Sequence, residues 1–164
     1  MADLIPFYEA EKKAWQIISD PESYAYFYGA KRVILTDHIM EALWQQYYEE
    51  YNYKFADDKK AIFNWSRGKI GLDCSGFVGH CVGELWSYSK ALIDHCPYVT
   101  DNLAEGLECS VLWKPGHVGL DMGRGYVAEF GRYKHSIEIN RIKERDFKLS
   151  GRIRTVDYYG ATNL

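Results

Sequence analysis

The chain has 164 residues, of which 47% are apolar and 26% are charged, a composition typical of one globular domain with a substantial core. Its 20 basic and 23 acidic side chains give a net charge of −3, which argues against a nucleic-acid surface driven by charge, although residues 143–154 form a locally basic stretch. No apolar run is long enough to span a membrane, and no signal peptide is visible at the start. We therefore expect a protein that is cytoplasmic as made.

Apolar residues at helical spacing predict that the first part of the chain is mainly helical. Asp20-Pro21 ends the first predicted helix, and Thr36 is a suitable N-cap for a later one. The predicted helices cover residues 7–19, a short segment after Pro21, 37–51, 57–65, 74–83 and 84–95.

Beyond Pro97 the apolar residues alternate with a period of two, which indicates β-strands. The predicted strands cover residues 110–113, 117–122, 126–130, 136–142 and 152–156. Helices followed by an antiparallel sheet predict a single α+β domain over residues 1–164.

The strands on either side of Gly123-Arg124-Gly125 predict a hairpin with a three-residue loop centred on Arg124. This register places Val118, Leu120 and Met122 opposite Phe130, Ala128 and Tyr126 on one apolar face. His117 and Glu129 then lie diagonally on the other face, within reach of each other.

A cysteine stands at the start of a predicted helix in the segment Leu72-Asp73-Cys74-Ser75-Gly76-Phe77-Val78. Asp73 can cap the helix, the partial positive charge of the helix start favours the Cys74 thiolate, and Gly76 keeps the first turn slim beside the sulfur. The alternative is a small buried cysteine with no chemical role.

Cys74, His117 and Glu129 supply the residue types of a nucleophile, a base and an orienting group in that chain order. The imidazole can take the cysteine proton, and the carboxylate can fix the tautomer of the ring. Glycines at 116 and 119 flank His117 and open its face. The combination predicts a nucleophilic Cys74, with His117 as base and Glu129 as orienting group.

These motifs resemble the NlpC-type family of papain-like cysteine peptidases, which cleave peptides of the bacterial cell wall. The Asp-Cys-Ser-Gly motif at 73–76 matches the family's catalytic cysteine, and Gly116-His117-Val118-Gly119 matches its histidine motif. The third polar residue follows twelve positions after the histidine, where this chain has Glu129 and many members have His. The match is strong over residues 72–131.

Tyr26-Phe27-Tyr28-Gly29-Ala30 resembles the family's Tyr-x-Trp-Gly-Gly motif, with Ala30 in place of the second glycine. The motif usually lies about a dozen residues before the cysteine, and the longer spacing here implies a helical insertion at about 31–65. We expect residues 22–65 to shape the substrate cleft, with the Tyr26 hydroxyl near the Cys74 sulfur and with insertion aromatics, including Tyr51 and Tyr53, on the core or the cleft. The alternative is an outlying helical cap.

The resemblance implies a papain-like fold, in which N-terminal helices that include the cysteine helix pack on an antiparallel sheet. It also implies hydrolysis of γ-D-glutamyl-diaminopimelate or similar bonds of peptidoglycan stem peptides, without a metal or other cofactor. Tyr26, Asp73, Ser75 and Gly76 are expected to form the substrate-binding surface around Cys74. Backbone N–H groups near the helix start, with the Tyr26 hydroxyl, would stabilise the oxyanion.

Three other classes of function remain open. His80-Cys81 and His95-Cys96 would be ligand pairs in a zinc module, although adjacent helical residues point apart. The four cysteines match no disulfide scaffold, so we expect them to be reduced. A papain-like amidase or acyltransferase on another substrate, or an idle binding domain, would share the fold.

The biological setting is open as well. A phage lysin or a toxin delivered by a secretion machine would reach the cell wall without a leader, and a cytoplasmic peptide-recycling enzyme would not need to. An immunity protein or a phage structural protein as partner is left open.

Overall fold

The computed structural model describes residues 3–49, 58–84, 88–131 and 137–164. The helices are α1 (Phe7–Ile18), α2 (Asp37–Leu43), which continues into a π-helical segment (Trp44–Glu49), α3 (Lys59–Ser66), α4 (Cys74–Val82) and α5 (Ser89–Asp94). The strands are β1 (Ile5–Pro6), β2 (Tyr24–Tyr26), β3 (Lys31–Ile34), β4 (Ile70–Leu72), β5 (Tyr98–Thr100), β6 (Val111–Lys114), β7 (His117–Gly123), β8 (Tyr126–Glu129), β9 (Glu138–Arg141), β10 (Leu149–Arg152) and β11 (Val156–Asp157).

The strands of the described residues form three sheets. A six-stranded antiparallel sheet has the order β5-β10-β6-β7-β8-β9, and a three-stranded sheet has the order β2-β4-β3. The short strands β1 and β11 pair in parallel. The mixed α+β architecture predicted from the sequence is confirmed. None of the helices in the described part of the chain is long and apolar enough to cross a membrane.

The main core lies between α1, α4 and α5 and one face of the large sheet. Phe77 and Val78 of α4 belong to the same buried cluster as Val118 and Leu120 of β7, which fixes the cysteine helix against the strand that begins with His117. The opposite face of the sheet is covered by a smaller cluster of Leu112, Val127, Ile142 and Phe147.

A second core forms around the predicted insertion. Phe27 packs with Leu35, Met40, Trp44 and Tyr48, and the Trp44 and Tyr48 rings stack with centroids 4.2 Å apart. The Tyr48 hydroxyl accepts a 2.9 Å hydrogen bond from the backbone N–H of Tyr28. The described part of the insertion is therefore tied to the Tyr28 loop, whereas the prediction for Tyr51 and Tyr53 lies outside the described residues.

The predicted hairpin is correct at one end and wrong at the other. Leu120 pairs with Ala128 as predicted, but Tyr126 pairs with Gly123 instead of Met122 because β7 carries a bulge between Asp121 and Gly123. Arg124 and Gly125 both have positive φ, at 54° and 85°, so they form a tight two-residue turn. The bulge absorbs the one-residue difference and keeps the predicted faces of His117 and Glu129.

The predicted strand at 152–156 is wrong. The chain pairs three residues earlier, in β10, and leaves the sheet before β11. Ser150 and Gly151 of β10 are buried, and a Cβ on Gly151 would lie 2.6 Å from Ile93 and 2.7 Å from the Cys96 sulfur. Small residues are needed there because α5 approaches closely, so the strand lacks the alternation that marks strands in a sequence.

Two further predictions on secondary structure were incomplete. The predicted helix at 84–95 begins only at Ser89 in the described residues, and residues 85–87 lie outside them. Strands β1 to β5 were not predicted. The start of the predicted strand at 136–142 also lies outside the described residues, and its described part is β9.

Candidate active site

Asp73 caps the cysteine helix, as predicted. Its backbone is extended, and its Oδ1 accepts a 2.7 Å hydrogen bond from the N–H of Gly76 and a 3.0 Å hydrogen bond from the Ser75 hydroxyl. Leu72, at the end of β4, leads directly into this cap. The cap therefore sets Cys74 at the first position of α4.

The second oxygen of Asp73 binds groups that the sequence did not indicate. Oδ2 accepts a 3.1 Å hydrogen bond from the N–H of Gly29 and pairs with the ammonium group of Lys31, which also donates to the Ser75 hydroxyl at 2.8 Å. Asp73 and Ser75 are both buried. Their side chains hold the Gly29 loop against the cysteine helix, and a role in substrate binding stays a prediction.

Gly76 is needed for packing. A Cβ there would lie 2.7 Å from the carbonyl oxygen of Ala30 and 3.4 Å from the Cα of Lys31. We expected Gly76 to leave room beside the sulfur. In the structure it instead allows α4 to pack closely against the Ala30–Lys31 backbone. Since the Gly76 N–H already donates to Asp73, it does not serve as an oxyanion donor.

The Cys74 thiol is neutral at pH 7 in this arrangement, contrary to the expectation of a thiolate. Burial raises its pKa to about 11, with a further rise from the Asp73 carboxylate, and these effects outweigh the lowering by the backbone N–H groups of Val118 and Ser75 and by Lys31. Desolvation thus outweighs the helix start. The contact with Val118 places the thiol against the residue that follows His117.

His117 and Glu129 meet on the outer face of the sheet, as predicted. His117 Nε2 lies 2.9 Å from Glu129 Oε1. A Cβ on Gly119 would lie 3.3 Å from Glu129 Cγ and 2.6 Å from a Val127 methyl, so the glycine makes room for the carboxylate. The predicted contact is confirmed, while the catalytic roles of the two residues stay predictions.

Glu129 has further partners that sequence reasoning missed. Arg145 donates from Nε to Oε2 at 2.7 Å and from Nη2 to Oε1 at 3.0 Å, and Asn140 Nδ2 donates to Oε2 at 2.7 Å. Burial alone would raise the pKa of Glu129, but the hydrogen bonds from His117, Arg145 and Asn140 lower it to about 2. Glu129 is therefore ionised at neutral pH.

This charge state decides the tautomer of a neutral His117. An ionised carboxylate only accepts hydrogen bonds, so Nε2 carries the proton in its contact with Glu129. The lone pair of the neutral ring is then on Nδ1, which makes Nδ1 the atom that can accept a proton.

Two cavities open at these residues. A cleft of about 560 Å³ at Cys74 is lined by Tyr28, Gly29, Gln46, Tyr47, Asp73, Cys74, Ser75, Tyr88, Ser89 and Gly116. A smaller cavity of about 180 Å³ is lined by Lys114, His117, Glu129, Gly131, Glu138 and Arg145. Gln46 and Tyr47 belong to the predicted insertion, so that segment walls the cleft that contains Cys74.

Tyr26 lies between the cysteine loop and the Glu129 strand. It pairs with Leu72 in the small sheet, two residues before Cys74, and its ring centroid is 6.1 Å from that of Phe130. Tyr26 is 7% exposed and belongs to the main core. The predicted approach of its hydroxyl to the Cys74 sulfur stays a prediction.

The structure places the remaining candidate ligands apart. Among the residues it describes, no three His, Cys, Asp or Glu side chains come together in a way that could hold a metal ion. Cys74, Cys81, Cys96 and Cys109 are free thiols. The basic stretch at 143–154 is largely paired with acids, through Arg145 to Glu129, Lys148 to Asp146 and Arg154 to Glu84.

A comparison with known proteins relates this fold to a cell-wall enzyme. The structure of the peptidoglycan hydrolase RipB from Mycobacterium tuberculosis matches the chain with a TM-score of 0.50 at 18% sequence identity, over 91% of this chain and 68% of RipB. No family model and no curated protein sequence matches the chain. The chain therefore shares the fold of RipB.

Proposed function

We propose that the chain is a cysteine hydrolase of bacterial cell-wall peptides, related to the NlpC-type family. The observation behind the proposal is the hydrogen bond of 2.9 Å between His117 and an ionised Glu129. His117 begins β7, the strand against which the cysteine helix packs. The fold shared with RipB, a peptidoglycan hydrolase, supports the substrate class. The proposed scissile bond is γ-D-glutamyl-diaminopimelate or a similar amide of a stem peptide.

In the proposed reaction, His117 acts as a base before it acts as an acid. Because the Cys74 thiol is protonated at neutral pH, its proton passes to Nδ1 of His117 as Sγ attacks the amide carbonyl carbon. The C–N bond then breaks, and the leaving amine takes the proton from Nδ1. Water next attacks the thioester and gives one proton to Nδ1 of His117. The C–S bond then breaks, and the departing sulfur takes that proton back, which releases the carboxylic acid and restores the Cys74 thiol and the neutral imidazole.

The cleft fits an extended peptide bound beside the sulfur. Tyr28, Tyr47 and Tyr88 line it together with Gln46 and Ser89, so the cleft offers both apolar ring faces and groups that can hydrogen-bond to peptide amides. The first-turn N–H groups that Asp73 does not use, together with the Tyr26 hydroxyl, are the proposed oxyanion donors.

Digestion of purified peptidoglycan and of free stem peptides, with products read by mass spectrometry, tests the proposal. Wild-type protein should release fragments with one new amine and one new carboxylate at a single amide, and Cys74→Ala should release none. Because stem peptides from different walls differ in their third residue, diaminopimelate and lysine peptides should be compared.

The outcome also separates the alternative substrates. Cleavage of free stem peptides without cleavage of intact peptidoglycan would indicate a peptide-recycling enzyme. Transfer of the acyl group to an added amine, in preference to water, would indicate an acyltransferase. Equal product from wild type and Cys74→Ala would overturn the proposal.

A further inference from the structure

The carboxylate of Glu129 is bound more completely by Arg145 than by His117. Arg145 donates two hydrogen bonds, at 2.7 and 3.0 Å, one to each oxygen, while His117 makes one at 2.9 Å. Asn140 adds a 2.7 Å hydrogen bond to Oε2. The fork of a guanidinium on a carboxylate fixes both the plane and the charge of the pair.

We propose that Arg145 balances the charge of the ionised Glu129, so that the hydrogen bond of His117 goes to a net-neutral Glu129–Arg145 ion pair and not to a bare carboxylate. Arg145 is then a positioning residue, acting on His117 through Glu129. The catalytic consequence rests on the proposed function, whereas the electrostatic inference can be tested without any substrate.

The charged and titratable groups that the structure describes around His117 all bear on this inference. The cavity at His117 is lined by two acids, Glu129 and Glu138, and by two bases, Arg145 and Lys114. The Cys74 thiol lies against Val118, the residue after His117. Glu138 stands opposite Glu129 in the pairing of β8 with β9. Counted over the described residues of this cavity, two acids and two bases balance in charge.

Lys114 does not take the place of Arg145 as the partner of the Glu129 charge. Its Nζ donates to the backbone carbonyl of Arg145 at 3.0 Å and lies 5.4 Å from the centre of the Phe147 ring. It therefore faces the segment that carries Arg145, while Arg145 contacts both oxygens of Glu129. Removal of the Arg145 charge leaves a carboxylate with excess negative charge against the imidazole.

The sign of the effect follows from the charges. A bare carboxylate stabilises the imidazolium form, so His117 should hold its proton to higher pH in Arg145→Met than in wild type. Glu129→Gln leaves Arg145 without its counter-charge, so His117 should lose its proton at lower pH. In the double variant both charges are gone, and the titration should return toward that of wild type.

Titration of the His117 imidazole by NMR in these four proteins tests the inference, with the resonance assigned from its loss in His117→Ala. The Arg145 side chain is 35% exposed, so the expected displacement is moderate, on the order of half to one pH unit in each single variant. Arg145→Lys keeps the charge but loses the fork, so it should titrate close to wild type. Arg141→Met, on the exposed side of the neighbouring strand, is the matched control and should not displace the titration.

Several outcomes would overturn the inference. One is a His117 titration in Arg145→Met that stays where it is in wild type or moves to lower pH. Another is a His117 titration that moves upward in Arg145→Lys as far as in Arg145→Met. The third is a double variant whose His117 titrates no closer to wild type than it does in the single variants. Amide spectra and melting temperatures show which variants remain folded, and if Arg145→Met does not fold, Arg145→Gln takes its place in the comparison.

The pH–rate profile then connects the inference with catalysis. If the proposed function holds, the acidic limb of turnover should move upward in Arg145→Met by the same amount as the imidazole titration. If no amide substrate is cleaved by wild type, the proposed function fails while the NMR titration still decides the role of Arg145. A shifted titration with an unshifted acidic limb would overturn only the claim that Arg145 positions a catalytic histidine.

Discussion

At the scale of single residues, burial has a larger effect on Cys74 than the helix start does. The sequence places Cys74 where a helix favours a thiolate, yet the surrounding core and the Asp73 carboxylate raise its pKa to about 11. A cysteine in this state needs a neighbouring base to become nucleophilic. In the proposed reaction His117 supplies that base, because Glu129 fixes the proton on Nε2 and leaves the lone pair on Nδ1.

The first prediction concerns the reactivity of Cys74. Iodoacetamide should label Cys74 faster than the other three cysteines, since those are buried and Cys74 is only partly so. Because the thiolate fraction rises about tenfold per pH unit below the pKa, labelling should still be increasing between pH 7 and pH 9. Peptide mass spectrometry measures the labelling at each cysteine.

Two controls make this measurement specific. Cys74→Ser should remove the fast-labelling site and reduce hydrolysis by at least about a thousandfold, while Cys96→Ser should keep both. Labelling of Cys74 that levels off below pH 7 would contradict the neutral resting thiol, and equal labelling of all four cysteines would contradict its accessibility.

At the scale of elements, the local signals around Cys74 were sufficient to predict the N-cap and the end of α4. Asp73 caps α4 through Gly76 and Gly83 ends it with a left-handed backbone, φ 76°, because these features depend on residues only a few positions apart. The contact of His117 with Glu129 was predictable for the same reason, since a hairpin and its alternation specify it.

The parts of the site that could not be predicted come from more distant segments. Lys31 reaches Asp73 across 42 positions, and Arg145 reaches Glu129 across 16 positions. The pairing of β8 with β9 brings Asn140 and the following segment to Glu129, and no turn signal in the sequence specifies that register. The positive charges of residues 143–154 were visible, but their partners were not.

The second prediction compares two helix caps. Thr36 caps α2 at an exposed position with a single 3.2 Å hydrogen bond, whereas Asp73 is buried and binds Gly76, Ser75, Gly29 and Lys31. Thr36→Ala should therefore cost about 1 kcal/mol of stability. Asp73→Ala should cost more, on the order of 3 kcal/mol, because it leaves a partly buried ammonium group and backbone N–H groups without their acceptor.

Urea denaturation of both variants measures the difference. Asp73→Asn is the intermediate case, since its amide oxygen can still accept from Gly76 but the counter-charge of Lys31 is lost. Equal losses in Thr36→Ala and Asp73→Ala would show that the Asp73 network adds nothing to an ordinary cap.

At the scale of the whole molecule, the second core places the predicted insertion at the cleft that contains Cys74. The Tyr47 ring packs against Tyr28 with centroids 5.5 Å apart and covers Gly29, whose backbone has a positive φ of 87° and where a Cβ would lie 2.3 Å from that ring. The glycine of the tyrosine motif thus lets a residue of the insertion reach the cleft. The spacing of the motif predicted an insertion, but only the fold shows which of its residues line the cleft that contains Cys74.

The third prediction tests this wall of the cleft. Tyr47→Ala should raise KM for stem peptides by about tenfold with a smaller change in kcat, since it removes contact area without touching the reacting atoms. Tyr8→Ala, at an exposed tyrosine of α1, is the control and should leave both constants unchanged. A loss confined to kcat would indicate that Tyr47 acts on the chemistry instead of on binding.

The last prediction concerns the pH dependence of stability, to which Asp121 contributes from the far end of β7. Asp121 is fully buried, its Oδ1 accepts a 2.7 Å hydrogen bond from the Gly123 N–H, and its Oδ2 has no hydrogen-bond partner among the described residues. Burial raises its pKa to about 7, with the Gly123 hydrogen bond lowering it and the nearby Glu108 charge raising it. The folded state therefore holds a proton that the unfolded state releases near pH 4, so stability should fall as the pH rises from about 4 to about 7. Glu129 acts in the opposite direction and in a separate pH range, since its lowered pKa of about 2 contributes stability that is lost only as the pH falls below about 4.5.

Asp121→Asn keeps an oxygen for Gly123 and removes the ionisation. Relative to wild type, it should gain stability progressively over this window, on the order of 3 kcal/mol by pH 8, and nothing further above that pH. Asp146→Asn, at an exposed aspartate, is the control and should show no such gain. Urea denaturation of the three proteins at pH 4, 5, 6, 7 and 8 measures the curves, and parallel curves for wild type and Asp121→Asn would contradict the assignment.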